Sequence, residues 1–214
     1  MVEVKQGDLV RMEYTGKVAS TGIIFDTTSE ETAKKAGIFD PSAQYGAKLT
    51  VFGAASMVEG MEEAIVTSKL GQTEEFTIPS EKAFGSRRPD FVRMLPEKEF
   101  LRQQVRPEIG MVISLDGALA KVKSITSGRV VVDYNHPLAG ESVTYSLKVT
   151  EIISAPKKKA EAVLASLGLS ASSKVLETGG KLKIEIGKGA DAKKADMARK
   201  TILALVPGTE FASA

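Results

Sequence analysis

The chain has no cysteine, no tryptophan and a single histidine, His136, in 214 residues. Without cysteine, disulfide scaffolds, thiolate metal sites and cysteine nucleophiles are excluded, which fits a reducing cytoplasm. One histidine rules out paired-histidine metal spacing, and no G-x-S-x-G elbow offers a serine nucleophile with a base. Long hydrophobic runs are missing too. Val130–Val132 and Thr201–Val206 fall far short of the ~20 apolar residues of a membrane span, and the start "MVEVKQGDLV" lacks a basic-then-apolar leader. The expectation is a cytoplasmic protein with no membrane contact. "GKGADAKK" at 187–194 lacks the G-K-[ST] ending of a phosphate loop and reads as the cap of a following helix.

What is present is 43% hydrophobic content, enough to bury at least one core at this length. The net charge of +2 conceals an asymmetry: residues 1–154 carry 18 basic and 21 acidic side chains, residues 155–214 carry 11 and 6. A lysine-rich solvated face is the simpler reading of that tail, and contact with nucleic acid or the ribosome is the alternative.

Alternation over "VEVKQGDLVRMEY", from Val2, predicts a strand; Thr15-Gly16 predicts a bend before "KVAS", and "IIFD" a further strand. Residues 29–47 mix a short helical signal with Gly, Pro and Ser and read as a surface excursion before the strand "KLTVF". In "GAASMVEGMEEAIVTSKLGQ" the period changes: Met61, Ala64, Ile65 and Leu70 share a helical stripe bracketed by Gly60 and Gly71. A strand over Glu74–Ile78 is closed by Pro79. Between Ser86 and Asn135, four short strand patterns and a proline-started helical turn, "PEKEF", predict a separate β-rich unit entered after Phe84-Gly85 and left at His136. "SVTYSLKVTEII" then completes the first unit. Beyond Ser154 the pattern reads helix (Lys157–Leu167), two strands around Gly179-Gly180, and a second helix with Ala195, Ala198, Ile202 and Leu205 in line. In all, an α+β protein of three domains is expected: 1–85 with 136–154, an insert at 86–135, and a C-terminal αββα unit at 155–214. His136 sits in "NHPLAG", where Asn135, Pro137 and Gly140 are turn chemistry, so it is read as a turn residue.

Four motifs occur in order: "YTGKVASTGIIFDTT" (14–28), "GAASMVEGMEEAI" (53–65), "SEKAFG" (80–85) and "SVTYSLKV" (142–149). Together they resemble those of the FKBP-type peptidyl-prolyl cis-trans isomerases, whose antiparallel half-barrel sheet wraps one short helix. An insert in the flap resembles the SlyD-type and long archaeal branch, in which it binds unfolded chain as a chaperone module; the His- and Cys-rich metal tail of bacterial SlyD is missing. The resemblance implies a prolyl isomerase with chaperone activity, no cofactor and no metal. Its partners would be unfolded or proline-containing polypeptides, with a homodimer through the C-terminal domain as a further possibility. A non-catalytic holdase is the alternative.

Carried over residue by residue, the resemblance assigns the catalytic pocket to Tyr14, Phe25, Asp26, Val58, Met61, Phe84 and Tyr145, with the Val58 backbone amide holding the substrate carbonyl. Met57 and Leu49 are assigned to substrate binding. Met61 replaces a tryptophan floor, Phe84 a tyrosine and Tyr145 a phenylalanine; an apolar family position falls on Lys48, beside Leu49. In the insert, Phe91, Met94, Leu95, Phe100 and Met111, together with Val105, are either its own core or an exposed surface for client chain.

Overall fold

A computed structural model describes residues 3–102, 104–115, 117–187 and 189–213. The first sheet starts with β1, Leu9–Val18, and β2, Ile24–Thr27. The predicted strand start at Val2 lies outside the described residues. Helix α1, Glu30–Ala36, is capped by Ser29, whose Oγ accepts from the Thr32 N–H; β3 is Lys48–Val51, α2 is Glu59–Thr67 and β4 is Thr73–Ile78. β9, Val143–Ile153, lies between β1 and β4, and every pairing in the sheet is antiparallel. Alternate residues face one side, as a strand's period of two requires. Val10, Met12 and Tyr14 on β1, with Val143, Tyr145, Leu147 and Val149 on β9, therefore pack against Met61, Ala64 and Ile65 of α2.

β1 changes partner midway. Residues Leu9–Met12 pair with β3, and Thr15–Lys17 pair with β2, so the sheet edge splits opposite Glu13 and Tyr14. The excursion that carries α1 crosses this gap, Thr28 N–H donating to Tyr14 O and Gly46 N–H to Thr28 O.

Two glycines that the sequence marks as breaks lie inside elements, each at a point of close packing. At Gly16 β1 runs on, but its pairing with β2 shifts register between Gly16 and Lys17; a Cβ there would lie 2.7 Å from Phe25 Cζ and 2.8 Å from Tyr145 Cε1. Gly60 does not precede α2 but lies inside it, where a Cβ would clash with Ile78 Cγ2. Leu70 falls beyond the helix and is exposed.

Between β4 and β9 the chain builds a second sheet, order β5-β8-β7-β6: β5 is Val92–Pro96, β6 Val112–Leu115, β7 Ala118–Thr126 and β8 Arg129–Asp133. Helix α3, Glu97–Arg102, lays Phe100 on its core of Ile113, Ala120, Val122, Val130 and Val132. The two connecting segments are tied together. Gly140 N–H donates to Gly85 O at 2.8 Å, Arg88 N–H to Asn135 Oδ1 at 2.8 Å and Asn135 Nδ2 to Arg88 O at 2.9 Å, and Arg87 pairs with buried Asp133.

After β9 come α4, Pro156–Ser166, β10, Ser173–Thr178, β11, Lys181–Ile186, and α5, Ala192–Leu205. The expected αββα order is extended by a strand: β12, Glu210–Ser213, pairs parallel to β11, with α5 as the crossover. One apolar core joins this unit to the first sheet, uniting Val163, Leu164, Ile184 and Ile202 with Leu9 and Ile153. At its edge Asp8, 4% exposed, accepts from Lys5 N–H, Ser154 Oγ (2.9 Å) and Lys159 Nζ (3.0 Å). Burial raises the Asp8 pKa, but these donors outweigh it and hold the carboxyl below its ordinary value.

Gly60→Ala is expected to destabilise the protein by about 1–3 kcal/mol through overpacking on Ile78. Urea denaturation should show a smaller loss in Gly60→Ala/Ile78→Ala than the sum of the single changes. Asp8→Asn should cost about 3–5 kcal/mol at neutral pH, because Lys159 is left buried without a counter-charge. Since the folded pKa of Asp8 is depressed, its contribution is present above the ordinary value of 3.8 and fades as pH falls through the lower folded value. Urea midpoints of the two proteins should therefore converge in acid.

Candidate functional site

Tyr14 occupies the split in the sheet edge, and its backbone is held there by Thr27 and Thr28. Its N–H donates to Thr28 Oγ1 at 2.9 Å, while its carbonyl accepts from the Thr28 N–H at 2.9 Å and from the hydroxyls of Thr27 and Thr28. The phenol is thereby aimed along β2 toward Asp26, and its O–H donates to Asp26 Oδ2 at 2.8 Å. Asp26 is itself exposed, so this bond fixes where the carboxylate sits at the mouth of the site rather than compensating a buried charge.

Around this pair lies a cavity of about 460 Å³ on the concave face of the first sheet. Met12, Tyr14 and Tyr145 line it from β1 and β9, Phe25 and Asp26 from β2, Lys48 and Thr50 from β3. Met57, Val58 and Met61 close it from the start of α2, with Ser56 beside them; Phe84, His136, Pro137 and Leu138 close it from the two connections to the second sheet. The aromatic rings brace one another edge to face: Phe25–Phe84 at 5.6 Å, Phe25–Tyr145 at 5.8 Å and Tyr14–Tyr145 at 5.9 Å.

All seven residues assigned as catalytic, and Met57, are thus brought to one cavity. Leu49 is not: in β3 it faces away, packing on the core shared with the C-terminal unit, and its neighbour Lys48 takes the cavity side. The insert residues are not brought to it either. Phe100 is buried in the second sheet's core, with Leu95 and Val105 packed on it, whereas Phe91, Met94 and Met111 are exposed.

Sequence reasoning missed His136 as a wall. Its ring stacks on Phe84 with centroids 4.5 Å apart and planes within 1°, and its Nδ1 accepts from the Leu138 N–H at 3.2 Å. The turn reading was sound for the backbone, and the available signal was an imidazole placed where the chain rejoins the first unit, opposite Phe84.

Burial, then the charge of Asp26, moves both phenols in one direction: Tyr14 lies well above the ordinary tyrosine value and Tyr145 is pushed up to about 12. Both remain neutral at physiological pH. The Tyr14 proton is committed to Asp26, whereas the Tyr145 hydroxyl makes no hydrogen bond among the described residues. The Val58 N–H, just before the first turn of α2, is also without an acceptor among them. The arrangement therefore offers an aromatic enclosure, one fixed carboxylate, and donors from Val58 and Tyr145 with the Lys48 ammonium beside them.

The family model described as FKBP-type peptidyl-prolyl cis-trans isomerase matches residues 2–101, and a model described as FKBP26, IF domain, matches residues 93–138. The short-type peptidyl-prolyl cis-trans isomerase of Methanocaldococcus jannaschii is 33% identical over 149 residues, 70% of this chain and 94% of that protein. The FKBP-type 16 kDa isomerase of Escherichia coli is 33% identical over 105 residues, 47% and 70% of the two chains. The SlyD isomerase of Treponema pallidum is 28% identical over 148 residues, 67% and 75%. The chain belongs to the FKBP-type peptidyl-prolyl cis-trans isomerase family, and it is a prolyl isomerase.

Proposed function

We propose that the cavity between β1, β2, β9 and α2 is where the prolyl amide is twisted. Carrying this reading is the convergence of Tyr14, Phe25, Met61, Phe84 and Tyr145 on one enclosure whose carboxylate is already hydrogen-bonded. Rotation about an X-Pro bond breaks no covalent bond but must lose amide resonance, against a barrier of ~18–20 kcal/mol. The twisted amide has a less delocalised and less polar carbonyl than the planar one, so a water-poor aromatic wall favours it over the ground state. In this reading the Val58 N–H, which has no acceptor among the described residues, holds the substrate carbonyl, and the Tyr145 hydroxyl is a second donor. An acceleration of ~10⁴–10⁵ needs about 5–7 kcal/mol, which selective desolvation and a few fixed donors supply together. No group that titrates near neutrality is required.

The segment 86–135 acts, in this reading, as a separate domain that holds client chain, with 1–85 and 136–154 as the isomerase domain and 155–214 docked on it. Support comes from the register of the second sheet, which turns Val92, Met94, Val112 and Leu119 away from its core and leaves them 37%, 58%, 59% and 70% exposed. Chain held there raises the local concentration of X-Pro bonds at the cavity.

Phe25→Ala should lower kcat/KM on a proline tetrapeptide by about 10- to 100-fold, a loss of ~1.4–2.8 kcal/mol of transition-state stabilisation. A protease-coupled assay on a variant shown to be folded reads this, and unchanged turnover would move the site elsewhere. Met94→Ser/Leu119→Ser alters exposed side chains and is expected to shift stability by less than about 0.5 kcal/mol per site. It should leave tetrapeptide turnover within about twofold while slowing catalysis of a proline-limited refolding reaction by several-fold. Equal loss in both assays would refute the division of labour.

A further inference from the structure

A second cavity of about 490 Å³ lies in the split of the sheet edge, between β2, β3 and the excursion after α1. Tyr14, Phe25, Asp26 and Lys48 line both cavities, so these four form a wall with a space on either side. A polypeptide is longer than its proline, and chain leaving the first cavity over this wall has the second before it.

The charged groups around the second cavity are not equally engaged. Arg11 pairs with Glu151 at 3.2 Å. Asp26 accepts from Tyr14, and Asp40 Oδ1 accepts from the Ser42 N–H and hydroxyl at 2.8 and 2.7 Å. Lys48 differs. Its ammonium lies 5.9 Å from the Tyr14 ring centroid and makes one long bond, 3.4 Å, to the Tyr14 hydroxyl, whose own proton is spent on Asp26. It has no ion-pair partner among the described residues. An ammonium carries three donors, so most of its capacity is open at the crest between the cavities. The parity of β3 puts it there: Lys48 opposes Met12, whose side chain faces the first cavity, while Leu49 turns away.

We propose that Lys48 is a specificity-determining residue, donating to an acidic side chain (aspartate, glutamate or a phosphorylated residue) beside the proline being isomerised. This rests on the first cavity being the catalytic site. With Asp26 and Asp40 on the same walls the field of the site is mixed, so the signature is a coupling between the charge at position 48 and the charge on the substrate, not an absolute preference for acid.

The test measures kcat/KM on proline peptides carrying Glu or isosteric Gln at the position before, and separately after, the proline, for the full chain and for Lys48→Met, Lys48→Arg and Lys48→Glu. At one of the two positions the Glu/Gln ratio should fall roughly two- to fivefold in Lys48→Met, the size of an exposed charge pair. It should be retained in Lys48→Arg, fall further in Lys48→Glu, and lose its dependence on residue 48 as salt is raised. A ratio that ignores residue 48 at both positions, or slowing of Glu and Gln peptides by the same factor, overturns the proposal; the latter would make Lys48 a mere support for Tyr14. Phe25→Ala on the Gln peptides separates this from failure of the site itself. Their turnover falls if the first cavity is catalytic, whatever Lys48 does.

Discussion

Ten residues near the start of the chain, β1, are laddered to eleven that come more than a hundred positions later, β9, and the site depends on the register of that one pairing. It sets Gly16 opposite Tyr145 and Tyr14 opposite Leu147, so both phenols emerge on the concave face. A slip of one residue would turn every side chain of one strand to the wrong side. The burial of Val143, Leu147 and Val149 against α2 on one face, and of Leu9 and Ile153 against the C-terminal unit on the other, opposes that slip from both directions.

Within that frame the cavity is made by aromatic rings that hold one another. Phe25 touches both Phe84 and Tyr145 edge to face, and the missing side chain of Gly16 is what lets Phe25 and Tyr145 meet. His136 then stacks on Phe84 and lines the cavity beside it. The wall facing the insert is thus built partly from the segments that connect to it, and the cross-ties at Arg87, Arg88 and Asn135 stiffen those segments. Hydroxyls enter the cavity from Tyr14 and Tyr145, whereas Phe84 brings none.

Much of this was legible in the sequence because the long elements carry strong patterns. Alternation in β1 and β9, the helical stripe of Met61, Ala64 and Ile65, and four motifs in order were enough to assemble the cavity. What stayed hidden depends on the parity of short elements. β3 has four residues, too few to say whether Lys48 or Leu49 faces inward, and the answer comes from its pairing with Met12. In the insert, the parity of β5 turns Met94 to the surface while the inward face of α3 carries Phe100 into the core, although both read simply as apolar. β12 is as short as β3 and exists through its parallel contact with β11, a long-range partner that no local pattern announces. The imidazole of His136 was masked by turn residues that describe its backbone correctly.

The long reach between β1 and β9 has a consequence for how the molecule is made. During synthesis β1 emerges before the insert, and its central partner follows only after the whole insert has been translated, roughly six to thirty seconds later at ordinary elongation rates. The second sheet, whose contacts lie close together in sequence, has everything it needs to fold first. A nascent copy would therefore present its exposed apolar face before its aromatic cavity exists, and gain its catalytic centre only when Val143–Ile153 closes the first sheet.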